Sequence, residues 1–180
     1  MKRWWLILLC LLSLSLPVTV SAADRAKLGH TEASLSAQYS RTDGKGAFWV
    51  LFRLDIEKGW HTYWQNPGDS GLAPSLDWTL PEGFAASDIV WQPPERQPFG
   101  PLMNYGYSHA SYHLVKITPR EGFQGTRIPL KVSASWLVCA EECVPEEAVL
   151  DLSLPVGSHQ RSAQAGEIDR LLTSAQLPVL

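Results

Sequence analysis

Apolar and polar side chains alternate along most of this chain. In AFWVLFRLDIE, Phe48, Val50, Phe52, Leu54 and Ile56 fall on one side, and Trp49, Leu51, Arg53 and Asp55 on the other. That period of two predicts a strand buried on one face. In IPLKVSASWLVC, Leu130, Val132, Ala134, Trp136 and Val138 alternate with Lys131, Ser133 and Ser135. In AVLDLSLP, Leu150, Leu152 and Leu154 alternate with Asp151 and Ser153. SLSAQYS, SLDWTLP, DIVWQP and SYHLVKITP are further strand candidates. Turn formers separate them: Asp43-Gly44, Asn66-Pro67-Gly68, Pro81-Glu82-Gly83, Pro93-Pro94 and Glu121-Gly122. About seven short strands divided by such turns predict an all-β immunoglobulin-like β-sandwich, with a barrel as the competing closure.

The texture changes at both ends. MKRWWLILLCLLSLSLPVTVSA has a basic start, an apolar run and a small-residue cleavage site, so residues 1–22 read as a secretory signal peptide. Pro17 interrupts the run before the ~20 apolar residues that a membrane span needs. Residues 23–157 form the predicted sandwich. Residues 158–180 read as a polar linker (GSHQRSAQ) and a short helix with Ile168, Leu171 and Leu172 as its apolar stripe. So short a helix is marginal alone, which predicts that it docks on something.

Losing the leader removes Lys2 and Arg3 and takes the formal charge from −3 to −5. No basic run remains, which argues against nucleic acid or an anionic membrane surface as a partner. Six of the eight tryptophans stay in the mature chain, and that aromatic load is what a small β core consumes.

Export also sets the meaning of the cysteines. Cys10 lies in the leader, leaving Cys139 and Cys143 in SWLVCAEECVPEE. Two close cysteines in an oxidising compartment are expected to pair. As a brace the pair is weak: closing a five-residue loop is worth only about 2 kcal/mol by chain entropy. A short-loop pair at a strand end suits repeated opening, but spacing alone leaves the structural and redox roles both open. Trp136 and Val138 are expected to point inward, with the chain turning at Ala140-Glu141-Glu142. Pro145 then places the region at an edge or loop, exposing the sulfurs laterally. Glu141, Glu142, Glu146 and Glu147 surround the pair, either as a field that raises the thiol pKa values or as a solvated rim. A copper-handling module is the alternative from another class, with the thiols holding Cu(I), helped by Met103 or by a histidine such as His109 or His113. A cysteine–histidine hydrolase lacks any local motif.

Taken together, WLVCAEECVPEEA, GWHTYWQNPGDSGLAPSLDW, LPEGF and FGPLMNYGY resemble the N-terminal periplasmic domain family of the thiol:disulfide interchange protein DsbD, in particular its ScsB (suppressor of copper sensitivity) branch. The resemblance spans roughly residues 35–155. It implies an immunoglobulin-like domain that takes electrons from a thioredoxin-like reductant domain, fed by a membrane electron carrier. The domain would pass them to oxidised periplasmic proteins, with copper tolerance as the setting that the ScsB branch suggests and no cofactor besides the disulfide. It implies that Cys143 forms mixed disulfides and Cys139 resolves them. His61 and Tyr63 match aromatic positions beside the disulfide. Phe99-Gly100, or else Tyr105-Gly106, matches the segment whose ring caps the sulfurs. Two departures stand out. The spacer between the cysteines is three residues, shorter than in DsbD, and the chain stops at Leu180 with no membrane span or CxxC motif after the domain. The expectation is a domain served in trans or a piece of a longer protein, and the amphipathic tail favours the latter.

Overall fold

The computed structural model describes residues 23–119, 121 and 123–175. The expected signal peptide at 1–22 lies outside them, as does Gly122 of one predicted turn. In chain order the strands are β1 (Arg25–Lys27), β2 (Thr31–Ala37), β3 (Tyr39–Arg41), β4 (Phe48–Ile56), β5 (Thr62–Gly68), β6 (Ser75–Thr79) and β7 (Phe84–Ala86). They continue with β8 (Val90–Trp91), β9 (Glu95–Phe99), β10 (Leu102–Tyr107), β11 (Ala110–Pro119), β12 (Arg127–Cys139), β13 (Cys143–Pro155) and β14 (Gln160–Arg161). One helix, α1 (Ala165–Ala175), follows.

Two antiparallel sheets form the sandwich. One runs β1-β2-β4-β11-β7, with β8 also on β11; the other runs β13-β12-β6. Their inner faces supply the core expected from the alternation. Phe48, Val50, Phe52 and Leu54 come from β4, and Leu130, Val132, Ala134, Trp136 and Val138 from β12. Burying each large apolar side chain contributes about 1.5–3 kcal/mol, so these two strands alone specify which faces meet. A slip of one residue would turn both rows to solvent. The fold is thus the immunoglobulin-like all-β sandwich with a short C-terminal helix.

Leu51 departs from the simple alternation. It lies on the outer face of β4 yet is buried, because α1 packs Ile168 against Leu51 and Leu114. The stretch read as a polar linker is also held. β14 pairs with β3, and Ser162 Oγ donates to the Ala37 carbonyl at 2.6 Å. The helix therefore covers the sandwich rather than trailing from it.

Among the strands that the periodicity did not predict, β5, β9 and β10 form a separate sheet in the order β5-β10-β9. Asn66-Pro67-Gly68, expected as a turn, is the end of β5, with Gly68 opposite Asn104. The turn proper comes after it. Gly68 and Gly71 both have positive φ, +92° and +95°, and they reverse the chain through Asp69-Ser70.

Candidate functional site

β12 and β13 are the two arms of one hairpin, paired in unbroken register from Arg127↔Pro155 to Cys139↔Cys143. Cys139 ends the first arm and Cys143 opens the second. The turn falls on Ala140-Glu141-Glu142, as the sequence predicts, with Ala140 N–H donating to the Glu142 carbonyl at 2.9 Å. The cysteines form a disulfide across the last rung, with Cα atoms 4.1 Å apart. β13 is an edge strand, which is where Pro145, lacking an N–H, fits.

The two sulfurs do not share an environment. Cys143 is exposed, whereas Cys139 is only 2% exposed. The expectation of lateral exposure holds for Cys143 and fails for Cys139, because β5 covers the latter. Beyond the reach of β6, the free edge of β12 pairs with His61, which exchanges two backbone hydrogen bonds of 2.9 Å with Cys139. That pairing carries Tyr63, two residues on, over the disulfide. Its hydroxyl donates to Cys139 Sγ at 3.0 Å and lies 3.7 Å from Cys143 Sγ. Tyr63 is itself buried, and burial raises its pKa above the ordinary phenol value, so the group is an O–H donor at neutral pH. His61 packs edge-on against the Tyr63 ring, centroids 5.3 Å apart. Burial lowers its pKa, which favours the neutral imidazole.

Residues the sequence reading had not singled out hold Tyr63 in place. A Cβ on Gly71 would come within 2.2–2.5 Å of three Tyr63 ring atoms, so this loop lies flat on the ring only because the residue is glycine. Asn104, itself buried, ties the loop down: its Oδ1 accepts from Ser70 N and Ser70 Oγ at 3.0 and 3.1 Å. Asp69 Oδ2 accepts from Met103 N at 2.8 Å. The signal available in the sequence was GDSG, a tight glycine-flanked turn directly after the aromatic segment.

The two candidate cap residues both lie on the β9-β10 hairpin, whose β10 pairs with β5. Phe99 ends β9 and is 48% exposed. Tyr105 lies on β10, its Cδ2 placed 3.2 Å from where a Cβ on Gly68 would stand. Among the described residues, neither ring stacks on another aromatic, and the hydrogen bonds to the sulfurs come from Tyr63.

The four glutamates also divide. Glu141, Glu142 and Glu147 are exposed, but Glu146 is turned inward at 7% exposure. It accepts from His30 N at 2.7 Å and Thr31 Oγ1 at 2.5 Å, joining β13 to the start of β2. It is not part of a rim around the sulfurs. The histidines considered for copper separate as well. His109 is exposed in the turn before β11, while His113 is fully buried beside Phe52, Trp91 and Tyr107. One is open to solvent and the other enclosed, so the two do not form a common site. Among the described residues no group of three or more His, Cys, Asp or Glu side chains converges on a point.

Fold and site together define an immunoglobulin-like sandwich with a disulfide at a hairpin end, one sulfur buried and one open. The chain belongs to the family of the N-terminal domain of thiol:disulfide interchange protein DsbD, whose sequence model matches residues 29–155. Among solved structures, the N-terminal periplasmic domain of ScsB from Proteus mirabilis is similar with a TM-score of 0.65 and 19% identity. The match covers 86% of this chain and 60% of that one. The reduced N-terminal domain of DsbD from Neisseria meningitidis matches with a TM-score of 0.37 and 18% identity, over 72% of this chain and 90% of that one. No curated protein sequence matches this chain.

Proposed function

We propose that this domain carries out thiol–disulfide exchange in the periplasm through Cys139 and Cys143, relaying electrons from a thioredoxin-like reductant, served by a membrane carrier, to oxidised periplasmic proteins. The observation that carries this reading is the asymmetry of the disulfide: an open Cys143 beside a Cys139 buried under a hydroxyl donor. Exchange needs one sulfur that a partner can reach in line and a second that leaves as thiolate. Family membership and the likeness to a periplasmic domain of ScsB support the compartment.

In the accepting direction, a partner thiolate attacks Cys143 Sγ. The new partner–Cys143 bond forms as the Cys139–Cys143 bond breaks, and Cys139 leaves as a thiolate. The Tyr63 O–H, 3.0 Å away, stabilises that charge where burial would otherwise oppose it. With His61 favoured neutral, this hydroxyl is the positive dipole at hand. A second partner thiolate then releases the reduced domain. In the donating direction, Cys143 thiolate attacks a substrate disulfide and expels one substrate thiol. Cys139 next attacks Cys143 Sγ, expels the second and restores the bridge. Two electrons and two protons pass in each cycle. The flap of Tyr63 and the Gly68–Gly71 loop keeps small oxidants from Cys139, a kinetic form of selectivity.

The test is trapping. Cys139→Ala leaves Cys143 able to attack but nothing to resolve the adduct, so a mixed disulfide with a periplasmic thioredoxin-like protein should accumulate and Cys143→Ala should give none. Stoichiometric Cu(I) uptake by the reduced wild type, with no adduct trapped, would replace this reading with the copper-handling one.

A further inference from the structure

The outward face of the cysteine hairpin continues past the disulfide as a ladder of cross-strand pairs. Below Cys139↔Cys143 comes Leu137↔Pro145, then Ser135↔Glu147, then Ser133↔Val149. Alternate rungs share a face and lie about 7 Å apart. Leu72 and Ala73, from the loop that holds Tyr63, close one side of the second rung and make a groove of about 450 Å³ over Leu137 and Pro145. Leu72 is 64% exposed and Val149 46%, two of the three large apolar side chains most open to solvent among the described residues. Apolar area of this kind next to a reactive sulfur is a contact surface in waiting.

Around the groove and the disulfide its charge has one sign. Residues 68–77 and 133–149 contain no Lys, Arg or His and carry the exposed carboxylates Asp69, Asp77, Glu141, Glu142 and Glu147, while the outward-facing Lys131 stands one rung beyond Ser133, opposite Thr79. A second copy of this chain docking by the same face would bring the same negative charge to the groove and be repelled.

We propose that this face docks the exchange partner itself, and that the partner presents an apolar side chain beside its reactive cysteine, to enter the Leu72–Leu137–Pro145 groove, flanked by Lys or Arg that face Glu141, Glu142 and Glu147. The inference rests on the exchange reading above and names the partner chemistry of the same site. Because Cys143 stands on the rung next to the groove, a side chain seated there places the residue after or before it against the open sulfur. Opposite charge at the rim raises the encounter rate, and the groove sets the register.

The experiment uses the reduced protein and three synthetic probes, the symmetrical disulfides of acetyl-Leu-Cys-Lys-amide, acetyl-Leu-Cys-Glu-amide and acetyl-Gly-Cys-Lys-amide. Each turnover consumes one probe disulfide and yields two peptide thiols and the oxidised domain. The Leu/Lys probe should react about tenfold faster than the Leu/Glu probe at low salt. The gap should close in high salt and in Glu141→Gln/Glu142→Gln/Glu147→Gln, whose side chains are exposed and outside the core. Leu72→Ser should slow the Leu/Lys probe several-fold and leave the Gly/Lys probe unchanged. Equal rates for all three probes, or a preference that survives in the triple variant, would overturn the docking inference while leaving exchange standing. Failure of every probe to exchange would remove the exchange reading and this inference with it. Self-association that Leu72→Ser abolishes would seat a second copy in the groove and equally overturn it.

Discussion

His61 and Cys139 lie 78 positions apart in the sequence, yet they exchange both of their backbone hydrogen bonds, each 2.9 Å long. The buried cysteine is therefore part of a sheet on both sides, by β13 and by the entry to β5, and its backbone position does not depend on the bridge.

The first prediction follows from that pairing. Reducing the disulfide should leave the fold intact and cost no more than about 2 kcal/mol, the entropy of a five-residue loop. Urea unfolding with and without reductant measures it, and so does Cys139→Ala/Cys143→Ala. A collapse of the fold on reduction would mean that the bridge is structural.

Tyr63→Phe removes one hydroxyl and keeps the ring. Losing a hydrogen bond to a developing thiolate should slow exchange with a thioredoxin-type reductant about tenfold and move the Cys139 thiol pKa upward in the reduced protein. The readouts are the pH–rate profile and the thiolate absorbance titration. A purely packing role for Tyr63 would leave both unchanged.

Gly71→Ala puts a methyl where the Tyr63 ring stands, at a φ of +95°. The strain should lower stability by roughly 1–3 kcal/mol and lift the loop off Tyr63. In the reduced protein, alkylation of Cys139 by iodoacetamide should then become faster, while Cys143 alkylation changes little. Peptide mapping of the labelled protein separates the two sites. If Cys139 stays as protected as in wild type, the loop is not the shield.

His113 should shape the acid limb of stability. Burial holds its pKa down at about 4, against a smaller upward pull from the Phe52 backbone, while the unfolded value is near 6.5. Below about pH 6.5 the unfolded chain takes up a proton that the folded one refuses. Stability from this group is therefore constant above pH 6.5 and declines as pH falls towards 4, by about 3 kcal/mol in all. Unfolding curves at several pH values should show a shallower decline in His113→Leu. Equal slopes in both proteins would mean that the ring does not titrate as described.

Much of this protein is readable one strand at a time. Period-two alternation located β4, β12 and β13 and named their inner residues, because a strand's faces are set by residues two apart and need no distant partner. The hairpin was legible too: Cys139 and Cys143 bracket three turn residues, and Pro145 marks an edge. The β9-β10 pair was not, since ERQPF and LMNYGY follow no clean alternation and gain their order from the pairing of β10 with β5 and of β9 with β10. Leu51 was assigned to the outer face correctly, but a local pattern carries no sign that α1 would cover it. The burial of His113 was not legible for a related reason: an isolated imidazole reads as polar until the aromatic neighbours that bury it are known.

By itself, then, the sequence determined an all-β sandwich with a cysteine pair at a chain reversal, since alternation, turn chemistry and cysteine spacing act over a few residues. Tertiary structure alone decided which sulfur is shielded and which is open. That choice depends on Tyr63, Gly71 and Asn104, whose contacts with the hairpin and with one another are set by strand pairing across the fold.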